Sequence, residues 1–455
     1  MITILRRPVP AGSLAALFAP APAGAVRQPG QRRLLVTLTF VMTIALTSAG
    51  CGSTDPGTRA AVPRASAPPA SPAAAAAAAA QPGPGTWRLL PAAPVTTFPD
   101  NVVSVWTGTE MIIHGTLATA GSNSGGVTIA YRPATRTWLT LAPGPVPLNL
   151  QTPDLAAWNG SQMLIPGETN GAYSPATGAW SAIPPGSGPE AQAVAAWTGS
   201  QMLIWGGVCC ATQSNSGMIY TPATSSWQQL PAAPIEVRRA ASGAWPGTEL
   251  VVAGGESGPE GQPPVLLSDA AAYNPATRTW RKLPPMPVPT AGATAVWDGT
   301  EVVFIAGTTT AQSPSPGGQA YNPVTNTWRQ LPSMPFPRAG FAAVWTGSQV
   351  LVWGGVTGGS PSSTVPPHGE AYDPATNQWT AMPEAPLSGR ADPTAVWTGR
   401  QMIVWGGYAA DNDTDGAAFT PSQGVTPPPG AHNGITPNRP PALPATQHYR
   451  SPETG

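Results

Sequence analysis

The stretches AYNPATRTW at 272–280, AYNPVTNTW at 320–328 and AYDPATNQW at 371–379 are three copies of one pattern. In each, an apolar run reaches a Tyr, breaks at a Pro-containing turn and resumes at a Trp, which reads as two short strands joined tightly. A second pattern precedes it at a variable distance: QMLIWGG at 201–207, QVLVWGG at 349–355 and QMIVWGG at 401–407, each an alternating strand that ends in two glycines. Ahead of that stands V/A-W-x-G, which recurs at Trp106, Trp158, Trp197, Trp245, Trp297, Trp345 and Trp397, with steps of 52, 39, 48, 52, 48 and 52 residues. Each unit therefore holds four short strands. A four-stranded unit repeated about every 40 to 50 residues is a propeller blade, and the sequence predicts an all-β, seven-bladed β-propeller over 85–421.

The two ends of the array complement each other. The seventh unit runs through Trp397, Gly406-Gly407 and Phe419-Thr420-Pro421 but lacks a fourth-strand Trp, whereas TWRLL at 86–90 has that strand's sequence and no unit ahead of it. The N-terminal strand is expected to complete the last blade and close the ring, which removes exposed sheet edges.

These units resemble kelch repeats, whose marks are the double glycine after the second strand, the Tyr-Asp-Pro of the third and the Trp of the fourth. Blade two departs from the pattern with Ile165-Pro166-Gly167, and blade one with His114-Gly115. Trp205, Trp353 and Trp405 occupy one repeated place before glycine and read as core. Each buried indole contributes roughly 4 to 6 kcal/mol as an upper bound. His114 holds the equivalent place in blade one and reads as packed rather than catalytic.

Composition narrows the function. Charged residues make up 9% of the chain, with 21 basic and 21 acidic side chains, so no basic surface is available for nucleic acid. Gly and Pro are abundant, at 51 and 59, yet 17 Trp demand a packed core, so ordered and loose parts must coexist. In 1–50, Arg32-Arg33 precede an apolar run at 34–46, too short to span a bilayer, and Ser48-Ala49-Gly50 lead into Cys51. This resembles the bacterial lipobox, which implies a lipidated Cys51 and a lipoprotein on the outer face of the cytoplasmic membrane. The alternative is an ordinary cleaved signal followed by a free thiol. The segment 51–84 reads as a Pro/Ala-rich tether and 422–455 as a Pro-rich disordered tail.

Strand direction places the first-to-second and third-to-fourth turns on one face. The opposite face receives the long loops of blade four (256–269), blade six (356–368), blade three with Cys209-Cys210, and blade seven (411–416), so binding is expected there. Just before the inner strands stand Asp100, Asp154 and Glu190 in blades one to three, and Arg238 with Arg239, Arg338 and Arg390 in blades four, six and seven. Blade five has Thr290. Opposite signs on two halves of a channel mouth would orient a polar or zwitterionic ligand, and the alternative is that these charges solvate the mouth or bridge to neighbouring carbonyls. Asp411, Asp413 and Asp415 match the first half of a calcium loop without its closing Glu, so a bound calcium and a solvated polar turn are both open. Cys209-Cys210, outside the cytoplasm, allows a vicinal disulfide, an intermolecular bond or two thiols.

Two classes of function follow. One is a monomeric, membrane-anchored binding or scaffolding module for an envelope protein or glycan, without a cofactor. The other is a carbohydrate-active enzyme, because the kelch resemblance extends to galactose oxidase and bacterial sialate mutarotases. A copper site of the former type implies two His and two Tyr, one Tyr joined to a Cys, and the only histidines here are His114, His368, His432 and His448. A mutarotase-like site needs only acid and base groups at the mouth, where Glu190, Asp154 and Arg338 stand as candidates.

Overall fold

A computed structural model describes residues 85–96, 100–116, 126–144, 156–166, 171–186, 192–209, 212–259, 263–309, 314–357, 366, 368–408 and 413–422. Those residues form seven four-stranded antiparallel sheets. The inner strands are Asp100–Trp106, Ala157–Trp158, Val194–Trp197, Ser242–Ala244, Thr294–Trp297, Ala339–Trp345 and Thr394–Trp397, in blades one to seven. Each packs on the next and the seventh packs on the first, so the ring is closed.

Closure uses the N-terminal strand. Gly85–Leu89 pairs antiparallel with Gly416–Pro421 of blade seven, in a register that sets Gly85 against Pro421 and Trp87 against Phe419. The N-terminal strand thus covers the side of Gly416–Pro421 that would otherwise be unpaired, and blade seven ends in an outer strand like the other six.

Local sequence makes the turns. Between first and second strands, the side chain following the Trp accepts the N–H three residues on: Thr107 from Glu110 at 3.0 Å, Asn159 from Gln162 at 2.7 Å, Asp298 from Glu301 at 2.6 Å and Thr398 from Gln401 at 2.9 Å. Such side-chain turns are why Thr, Asn and Asp recur there.

The fourth-strand Trp fastens blade to blade. Its ring lies on the third-strand aromatic of its own blade, as for Tyr131 and Trp138 at 5.0 Å, Tyr273 and Trp280 at 5.2 Å, and Phe419 and Trp87 at 5.1 Å between centroids. Its indole N–H donates to a carbonyl of the preceding blade, four residues beyond that blade's own Trp. The seven bonds are Trp138 to Pro91, Trp180 to Ala142, Trp227 to Pro184, Trp280 to Pro231, Trp328 to Pro284, Trp379 to Pro332 and Trp87 to Pro383, all between 2.7 and 3.0 Å. A proline suits the acceptor place in six of the seven, because it ends the strand without stranding an N–H of its own.

Second-strand aromatics fill the space between blades. Trp205 meets Trp280 at 5.5 Å, Trp353 meets Trp87 at 5.9 Å and Trp405 meets Trp138 at 5.9 Å. His114 does the same against Trp180 at 4.8 Å, which confirms its packed role.

Candidate functional site

The propeller has a loop face and a turn face. On the loop face the double glycine joins neighbouring blades, since the second glycine donates to the carbonyl of the following blade's link: Gly207 to Arg238 at 2.9 Å, Gly255 to Thr290 at 2.8 Å and Gly355 to Arg390 at 2.9 Å. Gly255 has φ +96, and a Cβ there would meet the Arg239 carbonyl at 2.8 Å, so both conformation and crowding require glycine.

The same links carry the arginines read either as ligand-holding or as bridging to carbonyls, and three of them take the second role. Arg238, Arg338 and Arg390 have 0%, 0% and 1% of the side chain exposed. Each folds back into its own blade. Nε donates to the carbonyl two residues earlier, on Glu236, Phe336 and Ser388, at 2.9, 3.2 and 3.0 Å. Nη1 of Arg238 and of Arg338 reaches the first glycine of the pair, Gly254 at 2.8 Å and Gly354 at 3.2 Å. Acids complete the pairing: Asp269 with Arg238 at 2.7 Å, Glu370 with Arg338 at 3.3 Å, and Asp415 and Asp413 with Arg390 at 2.6 and 3.3 Å. These guanidiniums staple blade links. Sealed from water and each paired to an acid, they do not present positive charge at a mouth.

Blade five shows the same task done without charge. Thr290 replaces the arginine, and the Gln319 amide accepts from Val288 N at 2.9 Å and donates to Val288 O at 2.8 Å, taking over the carbonyl that an Arg Nε would occupy.

The remaining expected residues divide. Arg239 is partly exposed and pairs with Glu256 at 2.8 Å. Asp100 lies on the inner strand of blade one opposite Thr116. Asp154, Glu190, Cys210 and Asp411, and the side chain of Cys209, lie outside the described residues, as do Cys51 and both flanking segments. The carboxylates of Asp413 and Asp415 both contact the single guanidinium of Arg390, so two of the three acids assigned to a calcium loop are engaged by it.

Charge environments follow from burial. Burial pushes the Glu370 carboxyl up to about 7 against the attraction of Arg338. Asp269 is also desolvated, but the hydrogen bond and charge of Arg238 outweigh this and hold it below the usual range. Burial lowers His114 to about 4, and its Nδ1 lies 2.9 Å from the Thr128 hydroxyl. His368 is lowered by burial and by Arg338, and packs edge-on against the exposed ring of Phe336 at 4.7 Å.

Above the staples stands a feature that the sequence did not announce. Hairpins Val208–Cys209 with Thr212–Gln213, and Glu256–Ser257 with Val265–Leu266, rise from blades three and four. Bridges between Ser214 and Arg238 and between Arg239 and Glu256 join them through the blade link, and Gln213 Nε2 donates to Gly258 O at 2.9 Å. Val237 and Val265 are exposed apolar side chains at this crown, and Phe336 is another on the link into blade six. The two-residue strands are too short for periodicity to reveal.

The closed ring of four-stranded blades defines the class, a seven-bladed β-propeller. The kelch motif matches residues 238–287, 289–335 and 337–386, so three of the seven blades carry recognisable kelch repeats. Among solved structures, a fungal alcohol oxidase of the AA5 family in complex with copper is similar over 75% of this chain and 79% of its own, with 14% identity and a TM-score of 0.59. That likeness concerns the fold. No curated protein matches the sequence.

The described residues do not fit a copper centre. His114 sits in blade one, packed on Trp180 and bonded to Thr128, while His368 sits in blade six against Phe336, and blade seven separates them. Among the described residues no three His, Cys, Asp or Glu side chains converge as metal ligands. His432 and His448 lie outside the described residues.

Proposed function

We propose that the protein is an exported, membrane-tethered binding module whose loop face engages an envelope protein or a glycan. One observation carries the reading: the two faces of an otherwise regular ring differ in kind. The turn face is built from tight repeated turns, whereas the loop face bears the crown of blades three and four, with exposed Val237, Val265 and Glu236, and carries exposed Phe336 and Glu384 on blade six. Irregular loops on a rigid scaffold are where recognition usually resides. Mixed apolar and acidic character suits a protein patch or a polyhydroxylated ligand better than a second anionic surface.

The test is in-cell crosslinking of the tagged full-length precursor in a bacterial host, alongside a variant in which residues 257–265 are replaced by a two-residue turn. The expected result is a reproducible partner or glycan that the shortened variant loses while its melting temperature is kept. Retention of the partner by that variant would move the contact off the crown. Anomer exchange on a free sugar, with no partner recovered, would favour a mutarotase-like enzyme. Cys51→Ser separately tests the anchor, and should shift the protein from the membrane to the soluble fraction.

A further inference from the structure

Among the described residues, the exposed charges of the propeller are sorted by face. On the turn face and the adjoining outer strand of blade seven, the exposed charged residues are Arg88, Arg132, Arg136, Arg278 and Arg400. The acids at that end, Glu110, Glu249, Asp298, Glu301 and Asp373, are all buried or half-buried. On the loop face the sorting is reversed, with Glu236, Glu384 and Asp415 exposed and Arg238, Arg338 and Arg390 sealed inside. Lys282, on the outer strand of blade four, is the remaining exposed charge among the described residues.

The basic residues also cluster around the ring. Arg88 and Arg400 belong to blade seven and Arg132 and Arg136 to blade one, and Arg88 and Arg136 both act on Tyr131. The chain enters and leaves the ring in the same sector. Gly85 and Pro421 are cross-strand partners at the turn-face end of blade seven, so the preceding 84 residues and the following 34 both connect there.

We propose that the turn face around blades seven and one lies against an anionic lipid surface, leaving the acidic loop face directed away from it. Both halves of the asymmetry favour that orientation: exposed arginines are drawn to anionic headgroups within about a Debye length, and exposed carboxylates are repelled. Gly85, where the chain enters the ring, lies at the end of its strand that would meet the lipid. The anchor read at Cys51 would supply proximity, and the contact is tested without it.

The experiment uses the unlipidated chain from residue 52 onward, which retains the whole closed ring, and vesicles of phosphatidylcholine with or without about one-third phosphatidylglycerol. Flotation should recover protein with the phosphatidylglycerol vesicles at about 50 mM salt, and not at about 500 mM or with phosphatidylcholine alone. The variant R88Q/R136Q/R400Q should bind about 100-fold more weakly, at a factor of roughly five per residue, while R278Q in blade four has a smaller effect. Glu236→Gln with Glu384→Gln on the loop face should leave binding unweakened. Absence of binding at low salt, equal binding to both lipids, or full binding by the triple variant with an unchanged melting temperature would each overturn the proposal. None of these outcomes bears on whether Cys51 is lipidated, which fractionation of C51S reads independently.

Discussion

At the loop face the side chains of Arg238, Arg338 and Arg390 are 0%, 0% and 1% exposed, and each holds a link to its own blade. At the turn face Arg132, Arg281 and Arg329 are 49%, 39% and 33% exposed and pair with Glu110, Glu249 and Glu301 at 2.6 to 2.7 Å. Two of the latter also cross to the next blade, Arg281 to Asn326 at 3.4 Å and Arg329 to Asn377 at 2.8 Å. The most deeply buried pair, Arg338 with Glu370 at 3.3 Å, is longer than any of the three turn-face pairs, and it is the one from which water is excluded on both sides. Where water is excluded, a pair is tolerated only while both members are present, and loss of one leaves a charge that nothing solvates. Where water has access, either member can be lost and hydration replaces it. Distance alone therefore says little about what a pair is worth.

The comparison can be broken most forcefully at Arg338. Arg338→Ala should cost about 3 to 5 kcal/mol in denaturant unfolding, because Glu370 is left buried and unpaired. The double variant R338M/E370L, which removes both charges and refills the space, should recover most of that loss. If the double variant falls as far as the single one, an isolated buried charge is not the cause.

A pH series sharpens the same contrast. Glu370 has its carboxyl raised from 4.5 to about 7, so the stability it contributes is complete below 4.5 and is lost as pH rises to about 7. His114, lowered from 6.5 to about 4, works in the opposite sense: its contribution is present above 6.5 and is lost as pH falls to about 4. Each tenfold change in proton affinity between the folded and unfolded chain corresponds to about 1.4 kcal/mol. Relative to the wild-type protein, E370Q should gain stability as pH rises through that window, and H114N should gain as it falls. Difference curves of the same slope would show that the pH response originates elsewhere.

The smallest effect belongs to the turn face. Arg329→Ala should cost no more than about 1 kcal/mol, and salt should diminish the difference further. A loss comparable with that of R338A would remove the distinction between the faces.

Much of the architecture was legible because it rests on large, repeated side chains. Seven Trp anchors, the Tyr-Pro-Trp turns and the orphan strand at 86–90 gave the blade number and the seam, and each has a bulky residue that must be buried. The site was less legible, because the sign of a charge does not reveal whether it is buried. A usable signal was nonetheless present. Arg238 and Arg338 each stand sixteen residues before the glycine whose carbonyl they bind, and Arg390 stands equally far before Gly406. A spacing that regular belongs to a scaffold, whereas Asp100 and Asp154 do not keep it. The Trp-to-carbonyl ring was likewise visible as a Pro four residues after six of the seven fourth-strand tryptophans. The crown had no comparable mark, since its two-residue strands are too short to show a period.

The seam has a mechanical consequence. Tension on the chain ahead of Gly85 would be applied at the end of the strand where Gly85 faces Pro421, so the load falls on one cross-strand pair at a time. Antiparallel strands loaded this way peel like a zipper, with far less resistance than the same bonds sheared together. Trp87, held by Phe419 on one side and by the Pro383 carbonyl on the other, is then the first catch in the path of the tear. Pulled by its leading end, the ring would open at the blade assembled from both ends of the array, while the six blades made from continuous chain stay whole.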